Sequence, residues 1–111
     1  MPDSVQLYEK LLAAFPDIAR KGATMPYTSV NGNMFSFIDK DGKLNIRLSE
    51  TKRDEFIKKY KATQSVQHGV IMKEYVSVPE RLLAVTKDLR PWLAQSYEYA
   101  KSLKPKKTKK P

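Results

Sequence analysis

Apolar and polar residues alternate with a period of two on either side of a polar turn between Val30 and Leu48, the most legible pattern in the chain. The runs Met34 to Ile38 and Lys43 to Leu48 read as two strands of a hairpin. Strict alternation would send Phe35 and Phe37 to one side of the first strand and Leu44, Ile46 and Leu48 to one side of the second. The connection Asp39-Lys40-Asp41-Gly42 carries an Asp-Gly turn signal, and Asn31-Gly32 marks another turn before it.

Around that hairpin the spacing predicts helices on either side. Val5, Tyr8, Leu11, Leu12 and Phe15 recur at helical intervals behind a capping Ser4, until Pro16 stops the pattern. Asp17 to Gly22 reads as an irregular or short helical connection. Ala23 to Val30 reads as a strand that Pro26 confines to a sheet edge or a bulge, since proline has no N–H to give a ladder. Ser49 is placed to cap a helix through Tyr60, with Phe56, Ile57 and Tyr60 on its apolar side. Thr63 to Gln67 and Ile71 to Val78 read as strands joined around His68-Gly69. Pro79 opens a short helix from Glu80 to Val85. Asp88 is placed to cap a last helix whose stripe holds Leu89, Trp92, Leu93, Ser96, Tyr99, Ala100 and Leu103, and Pro105 ends it. The expectation is one α+β domain over residues 1–103, followed by a lysine-rich, disordered tail at 104–111.

Length and composition narrow the picture. A chain of 111 residues with 41% apolar content has room for a single modest core. It contains neither a transmembrane-length apolar run nor the charge-then-apolar order of a signal peptide, so a cytoplasmic protein is expected. The absence of cysteine excludes disulfides, thiolate metal sites and a cysteine nucleophile. The net charge of +9 is concentrated at one end, because residues 101 to 111 hold six lysines and no acid. The remainder carries only +3, which does not call for a basic face across the fold.

The order helix, three strands, helix, two strands, closing helices resembles the TfoX N-terminal domain family. The residues that carry the likeness are Gly32, Met34, Phe35, Gly42-Lys43-Leu44 and Tyr75-Val76-Ser77-Val78-Pro79-Glu80. Pro91-Trp92 and Ser96-Tyr97-Glu98-Tyr99-Ala100, running on to Leu103 and Pro105-Lys106-Lys107, are similar to small stand-alone members. The resemblance implies a two-layer domain, an antiparallel sheet with helices on one face, like the YjbR-like and secretion-chaperone-like folds. It carries over no catalytic residue.

Candidate chemistry is sparse. Asp39, Asp41 and Glu50 stand at positions one, three and twelve of a calcium loop, but Lys43 and Leu44 occupy the places that need an oxygen ligand and a glycine. His68 is the only histidine and has no partner with which to complete a metal site. No serine sits in a nucleophile-elbow word, the acids are scattered, and the four glycines form no phosphate loop. No enzyme activity, metal, cofactor or small-molecule substrate is indicated. Trp92 and Tyr99 lie on the stripe that covers the sheet and read as core. What remains is a binding or regulatory module acting through a protein partner or self-association. The alternative is a nucleic-acid accessory protein using Lys104, Lys106, Lys107, Lys109 and Lys110, since lysine clusters neutralise phosphates.

Overall fold

In the computed structural model, which describes residues 4–18, 20–22, 26–67 and 69–103, the chain runs α1 (Ser4–Leu12), β1 (Tyr27–Val30), β2 (Asn33–Ile38), β3 (Leu44–Arg47), α2 (Glu50–Tyr60), β4 (Thr63–Gln67), β5 (Val70–Ser77), α3 (Glu80–Leu83), α4 (Thr86–Ser102). The strands form one antiparallel sheet in the order β1-β2-β3-β5-β4. The fold is α+β, as the order of patterns implies.

Local chemistry explains most boundaries. Asn31 and Gly32 both take positive φ, 54° and 79°, so the two-residue turn between β1 and β2 twists with its strands. Ser49 Oγ accepts the Lys52 N–H and caps α2. Pro26 directly precedes β1, an edge strand, and the N–H of Tyr27 is met by Lys21 O at 2.9 Å. Two caps differ from expectation. Ser4 is the first helical residue of α1, and Asp88 lies inside the first turn of α4, where its charge favours the helix dipole without a cap bond. Helix α1 stops at Leu12, ahead of Pro16, because Ala14 and Phe15 switch to tighter i to i−3 bonds. The first three residues of the expected strand Ala23 to Val30 lie outside the described residues.

Strict alternation fails at one place. Thr28 pairs with Ser36 and its neighbour Ser29 with Met34, so β2 carries one residue more than β1, and that residue is Phe35. The bulge turns two successive side chains of β2 toward the helices. Phe35 stacks on Tyr97 of α4 with ring centroids 5.4 Å apart, and Ser36 meets Tyr8 of α1 at 2.6 Å. Phe37 falls on the opposite face, against Tyr75. The expectation that Phe35 and Phe37 share a side is therefore corrected.

The core lies between the helices and this face of the sheet. Leu44, Ile46, Leu48, Val76 and Val78 meet Leu11, Phe56, Leu89, Trp92 and Leu93, all of them buried. Trp92 stacks edge-on against Phe56 and donates its indole N–H to Tyr60 Oη at 3.1 Å. A buried hydroxyl chain, Tyr8 to Ser36 to Thr28, ties α1 to β2 and β1. Burial pushes the Tyr8 phenol above its ordinary value against the pull of those two hydroxyls, so it stays neutral.

Candidate interaction surface

The far end of the sheet is built by the β4–β5 hairpin. Gln64 pairs with Val76 but the next residue, Ser65, pairs with Met72, so β5 holds Lys73 to Tyr75 as extra residues. Extra residues in one strand bend a hairpin. Only Tyr75 to Ser77 of β5 pair with β3. The tip instead folds toward the turn after β2, where Gln67 Nε2 donates to Asp39 Oδ2 at 3.2 Å.

Two consequences follow for its surface. Val66, Val70 and Ile71 stand 55%, 62% and 57% exposed, and with Val85 they are the large exposed hydrophobics among the described residues. Beside them β4 ends the sheet and leaves the outward N–H and C=O groups of Thr63-Gln64-Ser65-Val66-Gln67 without a neighbouring strand. This edge carries no charge and no proline, the usual protections. The other edge, β1, is flanked by Pro26 and bridged at Tyr27 by Lys21.

Asp39 anchors the hairpin. Its Oδ1 accepts the Asp41 and Lys43 N–H groups at 2.9 and 3.0 Å, and its Oδ2 accepts Asn45 Nδ2 and Gln67 Nε2, both at 3.2 Å. Burial alone would raise this carboxyl, but the four donors outweigh it and hold the value below the ordinary 3.8. The Asp-Gly turn reading thus gains its mechanism: Gly42 takes φ 79° while Asp39 satisfies the turn's amides. The same four bonds use all the lone pairs of the carboxylate. Glu50, the third acid of the apparent calcium loop, begins α2.

A second carboxylate ties β5 to its neighbours. Glu74 receives Arg47 Nε at 2.6 Å, an ion pair from the same guanidinium, and Tyr99 Oη at 2.8 Å. Desolvation would raise Glu74; the bonds from Tyr99 and Arg47 and the arginine charge leave it below the ordinary 4.5. Tyr99 and Tyr75 are both raised, chiefly by burial. Arg47 and Tyr75 also reach Met34 O, at 3.3 and 2.7 Å, joining β2, β3 and β5. Both lowered carboxylates are ionised and engaged by several donors at neutral pH, which suits fasteners rather than proton carriers.

Lys104, Lys106, Lys107, Lys109 and Lys110 lie outside the described residues, as does His68. Trp92 is core, as its place on the stripe implies, but Tyr99 is only half-buried and spends its hydroxyl on Glu74, while Tyr97 packs on Phe35 with Lys101 Nζ 5.0 Å from its ring centre. The Asp39–Gln67 and Arg47–Glu74 contacts were not visible in sequence. Their partners are 28 and 27 positions apart, with no local spacing to mark them.

Compared with known proteins, the chain matches the TfoX N-terminal domain model over residues 11–100 and belongs to that family. No curated protein and no solved structure matches it. No helix among the described residues is long and apolar enough to cross a membrane.

Proposed function

We propose that this protein is a non-catalytic, cytoplasmic binding module whose contact surface is the β4 edge, and that the surface takes a second copy of the chain, β4 against β4. The observation that carries the reading is an uncharged, proline-free edge strand beside three exposed aliphatic side chains. Strand addition supplies main-chain hydrogen bonds, and neighbouring apolar side chains supply burial. Antiparallel pairing about Ser65 would set Thr63 opposite Gln67 and Gln64 opposite Val66, with no like charges facing. Neutrality matters in a chain of net charge +9, since each added cation at a self-contact would repel its symmetry mate.

Sedimentation velocity from about 10 μM to about 1 mM, a range suited to a small interface, tests this. The wild-type chain should shift from monomer to dimer, and Val66→Lys should remain monomeric at every concentration. A wild-type chain that sediments as monomer throughout would sink the reading.

The lysine run favours a second reading, a nucleic-acid accessory role for Lys104, Lys106, Lys107, Lys109 and Lys110. Affinity should then fall by up to about 0.9 log units per log unit of salt for each phosphate neutralised. Deleting residues 104–111 should flatten that slope; an unchanged slope would rule the tail out.

A further inference from the structure

A cleft of about 470 Å³ opens between the end of α2 and the start of α3. Its walls include Lys43 from the β2–β3 turn, Lys61 after α2, Glu80 and Arg81 of α3, and the hydroxyl residues Thr63 and Ser77. Three cations from separate elements thus meet one acid, leaving +2 on the walls. Neither lysine forms an ion pair among the described residues. Arg81 Nη2 donates to Tyr60 O at 2.6 Å, which fixes the guanidinium at the wall and leaves other N–H groups to face a ligand. Thr63 and Ser77 are cross-strand partners, so their side chains share one face of the sheet.

Lys61 adds an independent sign. It ends α2 in the left-handed conformation, φ 53° and ψ 42°, with its N–H on Ile57 O. Glycine adopts that geometry without strain, and a residue with a long side chain does not. A lysine at this cap costs stability and places an ammonium at the cleft.

We infer that this cleft binds a terminal phosphate monoester. Such a group carries about −1.5 to −2 at pH 7 and offers three acceptor oxygens, which match walls of +2 with ammonium, guanidinium and hydroxyl donors. A phosphodiester carries a single negative charge and leaves the cleft with excess cation. The ligand chemistry is the same whether the monoester belongs to a small metabolite or to the phosphorylated end of an oligonucleotide.

Amide NMR titration of the full chain tests the inference, because it separates the cleft from the lysine tail. Methyl phosphate should shift the Lys43, Lys61, Ser77 and Arg81 signals saturably, and dimethyl phosphate should bind at least about fivefold more weakly. Lys61→Gly should lose at least about threefold in affinity while raising Tm by about 2 to 4 °C, since it relieves the cap and removes the charge. Lys61→Arg should keep the affinity. A 5′-phosphorylated dinucleotide that binds more tightly than methyl phosphate would identify a nucleic-acid end as the source; equal affinity would identify a small molecule. Equal binding of the diester, shifts confined to residues outside the cleft, or Lys61→Gly binding like wild type would each overturn the proposal.

Discussion

Replacing Asp39 by Asn keeps the shape of the side chain and removes its charge, and the structure sets the cost. Each carboxylate oxygen accepts two N–H groups, so whichever oxygen becomes an NH₂ confronts two donors. A hydrogen bond to a charged group contributes about 1.5 to 3 kcal/mol net. The two side-chain donors keep second acceptors, Lys43 O for Asn45 and Ser65 Oγ for Gln67, which places the loss at the low end, about 2 to 3 kcal/mol in all. With an m-value of about 1.3 kcal/mol/M, the urea midpoint should fall by roughly 1.5 to 2.3 M at pH 7. The effect must also depend on pH. The folded-state value of Asp39 lies below its ordinary 3.8, so its contribution is complete above about pH 5 and is lost as pH falls through the folded value. The difference between wild type and Asp39→Asn should therefore shrink toward pH 3. Hydrogen exchange at Val70 and Ile71 should quicken in the variant, because Gln67 loses its hold. A midpoint shift under about 0.3 M at pH 7, or the same shift at pH 3 as at pH 7, would refute the assignment of Asp39 as the hairpin's fastener.

Phe35→Ala, fully buried under α4, should cost about 3 to 5 kcal/mol in urea denaturation, and Phe37→Ala, on the opposite face, distinctly less; equal losses would contradict the bulge. Glu74→Gln should cost about 0.5 to 1 kcal/mol at pH 7, since the pair is partly exposed, and the loss should fade as pH drops below the ordinary 4.5. Differential scanning calorimetry at pH 7 and pH 3.5 checks the sign. Tyr8→Phe removes one hydroxyl from a buried chain whose other two members keep each other, so Tm should fall by about 4 °C, equivalent to about 1 kcal/mol.

Elements governed by neighbouring residues could be read directly from sequence. Ser49 caps α2, Asn31-Gly32 turns the first hairpin, and the last helix buries Leu89, Trp92, Leu93, Ser96 and Ala100 of its stripe while Tyr99 and Leu103 stay half-buried, because each depends on spacing of four residues or fewer. Phe35 could not be placed from sequence, since a bulge is a mismatch between two strands and neither shows it alone. Capping was misassigned at Asp88 because Thr86 and Lys87 can already join the helix ahead of it. The edge character of β4 follows from the sheet order, in which β5 rather than β4 lies beside β3. Its lack of charge was visible in Thr63 to Gln67, but the significance of that neutrality needed the edge. The cleft around Lys61 was hidden for the same reason: Lys43, Lys61 and Arg81 meet only once three elements are packed.

The sheet order also has a kinetic meaning. β1, β2 and β3 form a meander closed by short turns, and β4 with β5 forms a hairpin of its own. Between the two halves the strand ladder runs where Asn45, Ile46 and Arg47 pair with Ser77, Val76 and Tyr75, a contact that must close a loop containing all of α2. Loops of that length pay their entropy before the pairing rewards them, so this seam should form after the two local pieces. Leu44, Ile46 and Val76 then bury the seam under the helices, and Arg47 with Glu74 closes its end. The hairpin with its bare edge is thus a locally closed piece that long-range contacts, the ladder to β3 and the Asp39–Gln67 bond, hold to the rest of the sheet.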